Sequence, residues 1–244
     1  MDIKIPYTPR KHQAYLHKQI DKHRWNVLVC HRRFGKTVCM INHLIRSALL
    51  SKQKNPRYAY IAPTFKQAKS IAWDYMKQFT AKIPHTKFNE TELRVDLPNG
   101  SRITLLGSES PDGLRGIYLD GCVIDEYANV NSKLFPEIIR PALSDRKGYC
   151  VFIGTPMGMN NNFYELYQHA QGADDWFNYK AKASETLIVD NDELVKAKEV
   201  MGEKKYQQEF ECDWIANIEG AVYGDIIAKL DDDKQLTRVP YDPA

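Results

Sequence analysis

Residues Asn26 to Thr37 read NVLVCHRRFGKT. Asn26 to Cys30 is a short apolar run, the pattern of a buried strand. From Lys36 to Leu50 the apolar residues Val38, Ile41, Ile45 and Leu49 recur at helical spacing. Between the two, Cys30-His31-Arg32-Arg33-Phe34-Gly35-Lys36-Thr37 follows G-x-x-x-x-G-K-[ST], with Cys30 standing where the first glycine is expected. In such a loop Gly35 lets the backbone wrap a phosphate, and the following helix begins with its N–H groups unpaired. Lys36 brings a point charge to the β- and γ-phosphates, and Thr37 offers a hydroxyl to Mg²⁺. Arg32 and Arg33 are unusual inside this kind of loop; they either serve phosphate charge or are solvated.

Working outward, Thr8 to His23 reads as a helix, with Thr8 as N-cap and Pro9 at its first position. Tyr58 to Ala62 is a second strand, stopped by Pro63, and Thr64 caps a helix running through Phe79. Leu93 to Leu97 and Ile103 to Leu106 flank Pro98-Asn99-Gly100-Ser101, a strong hairpin signal. Cys122 to Ile124 is a strand that ends in Asp125-Glu126. Leu134 to Leu143 reads as a short helix with Pro136 in its first turn. Tyr149 to Ile153 is a strand followed by Gly154-Thr155-Pro156, Phe163 to His169 is helical, and Phe177 to Ala183 is a last strand. From Asp192 the pattern is helical and acidic and thins into a tail, Asp231 to Ala244. Strands alternating with helices predict an α/β fold with a parallel, helix-covered sheet. Ligands of such sheets bind beyond the carboxyl ends of the strands, and the chemically informative residues fall there: after Cys30, Pro63, Ile124 and Ile153.

The acidic pair completes a phosphoryl-transfer set. Asp125 is placed to hold Mg²⁺ through water, and Glu126 to polarise the attacking water as general base. Alone, an apolar strand ending in two acids means little; downstream of a phosphate loop, with room for an intervening strand, it becomes a pattern.

Composition sets the outer limits. The chain has 244 residues, enough for one large domain or one domain with an appendage, and is 43% hydrophobic and 11% aromatic, which excludes global disorder. No apolar run approaches the ~18 residues of a membrane helix, and no signal peptide opens the chain, so it reads as a soluble intracellular protein with no membrane partner. Cys30, Cys39, Cys122, Cys150 and Cys212 form no CxxC pair and are expected to be reduced thiols. The net charge of +3 is too small to argue for nucleic acid by itself, but cations crowd Met1 to Lys36 while Glu185 to Asp233 is acidic. His12, His17, His23 and His31 lack partners at metal-ligand spacing, and no G-x-S-x-G elbow supports serine catalysis.

Taken together, these residues resemble the ATPase domain of the large terminase subunit of tailed bacteriophages, the motor that packs DNA into a procapsid. The resemblance covers nearly the whole chain and rests on motifs in the family's order: Cys30 to Thr37, a phosphate loop often lacking the first glycine and carrying arginine at the position of Arg32; Ile61-Ala62-Pro63-Thr64 with Gln67-Ala68; Asp112-Gly113-Leu114-Arg115-Gly116; Val123 to Tyr127; Gly154-Thr155-Pro156; Gln208-Glu209-Phe210; and Gly220-Ala221-Val222-Tyr223. It implies a P-loop NTPase core of the ASCE, RecA-like type over 1–183, a small helical lid or linker at 184–230, and a tail at 231–244 leading toward a nuclease domain that these residues do not contain. It implies that Gln13, Cys30, His31, Arg32, Arg33, Phe34, Gly35, Lys36 and Thr37 bind Mg-ATP, with Gln13 at the adenine. Thr37 and Asp125 would hold the metal; Glu126 and Lys36 would be catalytic. Arg115 would be an arginine finger offered to a neighbouring subunit, with Arg32 as the competing finger within its own subunit. Gly154, Thr155 and Pro156 would relay loss of the γ-phosphate. The implied partners are double-stranded DNA, the portal ring of the procapsid, the terminase small subunit and further copies in a ring assembled on the portal from free monomers, in the cytoplasm of an infected host cell. Two rival readings are a helicase-type DNA-dependent ATPase, which needs a second motor-like domain, and a nucleotide-gated scaffold without turnover, against which the presence of both Lys36 and Glu126 argues.

Overall fold

A computed structural model describes residues 5–215; Gly220-Ala221-Val222-Tyr223 and the tail expected at 231–244 lie outside them. Helix α1 (Lys11–Ile20) precedes strand β1 (Trp25–Cys30), and α2 (Lys36–Leu50) leads to β2 (Arg57–Ala62). A helical run follows, α3 (Phe65–Ala68), a π turn (Lys69–Trp73) and α4 (Asp74–Thr80), and then β3 (Lys87–Asn89), β4 (Arg94–Asp96) and β5 (Arg102–Gly107). Next come β6 (Gly121–Ile124), a π turn (Leu134–Ile139) running into α5 (Arg140–Ala142), β7 (Tyr149–Gly154), α6 (Asn162–Gln171) and β8 (Trp176–Ala181). The last described elements are α7 (Ala183–Thr186), α8 (Asn191–Met201) and α9 (Glu203–Phe210).

The strands form one sheet in the order β3-β4-β5-β2-β6-β7-β1-β8. Every pairing from β5 to β8 is parallel, whereas β3 and β4 pair antiparallel beyond β5. The predicted parallel, helix-covered sheet is therefore what forms. Its central strands β1, β6 and β7 are buried almost throughout, as strands covered on both faces must be. One face packs Leu28, Tyr60, Val123 and Ile153 against Met40, Leu44, Trp73 and Met76 of the α1–α4 layer. The opposite face packs Val27, Ile61, Ile124 and Phe152 against Leu134, Ile139 and Phe163. Burying a side chain of this size contributes ~1.5–3 kcal/mol, so the two apolar layers hold the strand ends in fixed register. A third small cluster, Ala183, Leu194, Tyr206 and Phe210, joins α7, α8 and α9.

Three local expectations need correction. Helix α1 starts at Lys11, not after Thr8, because Gln13 reaches back to accept the Arg10 backbone N–H at 2.9 Å and closes the first turn there. The segment Leu134 to Leu143 is π-helical before it is α-helical. Pro136 and Pro141 each remove a backbone donor, and the Arg140 N–H bonds the Phe135 carbonyl, five residues back. The hairpin at Pro98–Ser101 forms as expected, but it acquires β3, whose three mostly exposed residues carry no apolar alternation. Thr64 caps α3 as read, its side chain accepting from the Gln67 N–H. All five cysteines are free and buried, and no described helix is long and apolar enough to cross a membrane.

Candidate nucleotide site

The ends of β1, β2, β6 and β7 meet above the carboxyl edge of the sheet. The turn from β1 to α2 is the phosphate loop read from the sequence. Arg33 and Gly35 both take left-handed backbone conformations, φ 72° and 87°. Gly35 cannot be replaced freely, since a Cβ there would sit 2.9 Å from the Gln13 amide nitrogen as well as in a strained conformation. Lys36 spans the loop and donates from Nζ to the Cys30 carbonyl at 3.0 Å. Cys30 is fully buried, and burial pushes its thiol well above the usual range, so it serves as an apolar strand end and not as a nucleophile.

Two carboxylates face this loop from β6. Asp125 is only 4% exposed; its backbone N–H bonds the Ile61 carbonyl at 2.7 Å and fixes the strand end. Asp125 Oδ1 accepts the Glu126 N–H at 2.9 Å, and Oδ2 accepts the hydroxyl of Tyr60, beside which the Thr37 hydroxyl stands. Tyr60 on β2 thus stands between the loop hydroxyl and the strand carboxylate. Nothing in an isolated stretch YAYIA marks it; only the pairing of β2 beside β6 makes it visible. Burial raises the pKa of Asp125, against which the Tyr60 hydroxyl and the Lys36 charge work. Burial also raises the pKa of Glu126; Lys36 lowers it, while the charges of Asp125 and Glu209 raise it further. Glu126 takes a left-handed conformation, φ 47°, ψ 50°, sparsely populated for a non-glycine residue. The backbone N–H of Thr155 stands near enough to this carboxylate to favour its charged form, so the acid lies beside the turn Gly154-Thr155-Pro156.

The donor set fits a hard divalent cation. A hydroxyl (Thr37) and a buried carboxylate (Asp125), both oxygen, face a loop built for phosphate, while no group of three or more His, Cys, Asp or Glu occurs among the described residues. Mg²⁺ bound through few protein ligands, phosphate oxygens and water has that requirement, and Zn²⁺ does not.

Gln13 is buried, and one donor and one acceptor of its amide are in use: Oε1 on the Arg10 N–H and Nε2 on the Gly35 carbonyl at 3.2 Å. A primary amide keeps a second donor and a second acceptor site, the pair an adenine edge requires. Arg10 also donates to the Phe34 carbonyl at 3.2 Å. Beside these residues opens a cleft of about 1170 Å³, lined by Arg10, Arg33 and Gly35 on one side and by Tyr75, Val200 and Phe210 among others. Arg32 turns toward α9: its N–H bonds the Glu209 carbonyl at 2.8 Å, and its guanidinium lies 3.9 Å from the Glu209 carboxylate. Next to Glu209, Gln208 donates to the Pro156 carbonyl at 2.6 Å. One helix thus touches both the phosphate loop and the coupling turn, a role that the sequence run Gln208-Glu209-Phe210 does not reveal. His31 and Phe34 are buried and line the inside of the loop. Arg115 stands apart from this cluster, on the turn after Leu114, with its guanidinium 3.7 Å from Glu137.

Residues 30–226 match the family model described as "Terminase large subunit, T4likevirus-type, N-terminal". Among curated proteins, the terminase large subunit of Thermus phage G20c is 27% identical over 182 residues, 67% of this chain and 36% of that protein. The terminase large subunit of Thermus virus P23-45 matches over the same shares at 27% identity. The chain therefore spans about a third of the length of these relatives. Among solved structures, the large terminase ATPase domain of Thermus phage P74-26 superimposes with a TM-score of 0.72 at 21% identity, covering 86% of this chain and 95% of that one. A second large terminase, from another thermophilic bacteriophage and in complex with ADP, gives a TM-score of 0.73 at 16% identity, covering 84% of this chain and 53% of that one. The fold is the one these ATPase domains share.

Proposed function

The chain belongs to the terminase large-subunit family, and on that premise we propose that it is an ATP-hydrolysing motor domain that couples Mg-ATP hydrolysis to movement of double-stranded DNA into a procapsid. The observation that carries this reading is the meeting of Lys36 and Thr37, after β1, with Asp125 and Glu126, after β6, at the carboxyl ends of two strands that flank β7, with Thr155 beside the Glu126 carboxylate. In this reading the loop N–H groups and Lys36 hold the β- and γ-phosphates, and Thr37 and Asp125 hold magnesium. Held by Thr37 and Asp125, magnesium would supply positive charge against the phosphates. Glu126 takes the proton of the attacking water; a raised pKa brings a carboxylate base nearer to the working pH and makes it a better proton acceptor. Thr155, beside the same carboxylate, registers the change in its charge and position, and Gln208, bonded to the Pro156 carbonyl, carries it to α9. Gln13 reads the base with its remaining amide sites. Helices α7 to α9, the described part of the lid expected at 184–230, close over the nucleotide held by the core expected at 1–183. Assembly as a ring on the portal, a small-subunit partner and action in the host cytoplasm belong to the same proposal.

The test is a pair of substitutions. Lys36→Ala should lose both ATP binding and turnover. Glu126→Gln should retain ATP but lower turnover by roughly 10²-fold or more, because the amide hydrogen-bonds without taking a proton. Parent-rate hydrolysis by Glu126→Gln would show that the base is elsewhere.

A further inference from the structure

The phosphate loop carries one fully buried titratable ring that phosphate binding does not require. His31 follows Cys30 directly and is 0% exposed. Its backbone N–H bonds the carbonyl of Ala181, the last residue of β8, at 3.0 Å. Its ring Nδ1 lies 2.6 Å from the Arg32 carbonyl and its Nε2 lies 2.7 Å from Thr186 Oγ1. A carbonyl only accepts, so Nδ1 carries the proton and donates. In the neutral ring Nε2 is then the lone-pair nitrogen, and the Thr186 hydroxyl donates to it. The other acceptor near that hydroxyl, the Ala183 carbonyl, is 3.5 Å away, too long to compete well. The Phe34 ring packs edge-on against the imidazole at 5.7 Å and closes the pocket.

Thr186 sits where this contact has mechanical leverage. It ends α7; Leu187 follows in a left-handed conformation, φ 53°, and Asp190 caps α8. Val200 and Met201 of α8 line the same cleft as Arg10, Arg33 and Gly35. The Arg32 carbonyl that His31 holds belongs to the peptide entering left-handed Arg33. Ring orientation is therefore fixed by the loop conformation at one end and read by the α7–α8 turn at the other.

We propose that His31 is a positioning residue that latches the phosphate loop to the α7–α8 turn through the Thr186 hydroxyl, and so sets closure of α8 over a bound nucleotide. The proposal rests on the Mg-ATP reading above. It predicts an effect on nucleotide retention and not on the chemical step.

Thr186→Val keeps the shape and removes the donor. Losing one buried hydrogen bond should raise KM for Mg-ATP by about three- to tenfold while kcat stays within about twofold, and Thr186→Ser should restore the parent KM. Without nucleotide, amide hydrogen exchange over residues 183–194 should be faster in Thr186→Val than in the parent and normal in Thr186→Ser. An unchanged KM in Thr186→Val, a fall in kcat with KM unmoved, or failure of Thr186→Ser to rescue would each overturn the latch. If Thr186→Val does not fold, His31→Gln replaces it: the amide keeps an acceptor for Thr186 and loses the Arg32 contact, and an unchanged KM there overturns the proposal equally. If the parent protein itself neither binds nor hydrolyses ATP, the nucleotide reading fails by itself. The exchange arm then decides the latch: accelerated exchange over 183–194 supports it, and parent-like exchange overturns it.

Discussion

Tyr60 shows how much a single hydroxyl carries in this site. Asp125 is buried, and a buried carboxylate stays ionised only if donors and cations repay its lost hydration. The Tyr60 hydroxyl is one of those donors, on Oδ2, and the Glu126 N–H is another, on Oδ1. Tyr60→Phe removes the first and leaves the ring in place. A hydrogen bond to a charged group is worth ~1.5–3 kcal/mol, so the variant should be less stable by about that much at neutral pH. The same loss pushes the already raised pKa of Asp125 further up, so a proton competes better with the metal. Mg²⁺ titrations of nucleotide binding should therefore show a weaker metal requirement at pH 8.5 and a stronger one at pH 6.5 for Tyr60→Phe, with a smaller difference in the parent. Identical pH dependence in the two proteins would mean that Tyr60 only packs. Residues of this kind explain what was and was not legible in the chain. Lys36, Thr37, Asp125, Glu126 and Thr155 could be found because each lies in a short contiguous motif at a strand end. Tyr60, Glu209 and Thr186 could not, because their partners Asp125, Arg32 and His31 are distant in sequence and meet only through strand order and helix placement.

Among the elements, α1 and α2 share a polar contact inside an otherwise apolar layer. His17 Nδ1 and His43 Nδ1 are 3.0 Å apart with rings parallel within 8°, and the Tyr7 hydroxyl meets His17 Nε2 at 3.0 Å. If Tyr7 donates to His17 Nε2, His17 Nδ1 donates to His43 Nδ1, and both rings are neutral. Around them stand Asp21, Arg46, Cys39 and Tyr149. Burial drives His17 down to about 4 and His43 down to about 3, with the Arg46 charge adding to both and Asp21 opposing. In the unfolded chain both titrate near the ordinary value of 6.5. The folded pKa values are depressed, so below pH 6.5 the unfolded chain binds more protons and stability falls as pH drops toward 4. For His43 alone the loss by pH 4 is on the order of 3 kcal/mol. Urea midpoints at pH 7.5, 6 and 5 should fall steadily for the parent and less for His43→Gln, even though the variant starts lower. Equal slopes would place the acid sensitivity elsewhere. The helices themselves were readable from apolar spacing, but this pair was not, since a lone histidine in an amphipathic helix gives no sign of which helix it will meet. The π turns at 69–73 and 134–139 were unreadable for another reason: π turns arise from where backbone donors are spent, and in 134–139 prolines and packing decide that jointly.

At the scale of the whole molecule, the two arginines that could serve phosphate charge are placed differently. Arg32 is built into its own phosphate loop and bound to Glu209 of the same chain through both backbone and side chain. Arg115 lies on a half-exposed turn and pairs with Glu137 at 3.7 Å, on the turn that precedes α5. An arginine that completes a site is worth roughly 10³ to 10⁵ in turnover. If Arg115 completes the site of a neighbouring copy, a dilute monomer lacks that factor. Turnover per chain should then rise more steeply than linearly with protein concentration. Arg115→Ala chains have intact nucleotide sites and no finger to offer; Lys36→Ala chains have the finger and a dead site. Mixed, they should recover part of the parent turnover, because each Arg115→Ala site can receive the Arg115 of a Lys36→Ala neighbour. Arg32→Ala mixed with Lys36→Ala should recover nothing, because Arg32 serves the nucleotide of its own loop. Steady-state hydrolysis of the two mixtures, at protein concentrations where the parent shows its steep rise, decides the matter. If neither mixture recovers while the parent assembles and turns over, Arg115 acts on no neighbour, and Arg32 becomes the arginine that stabilises the transferring phosphate.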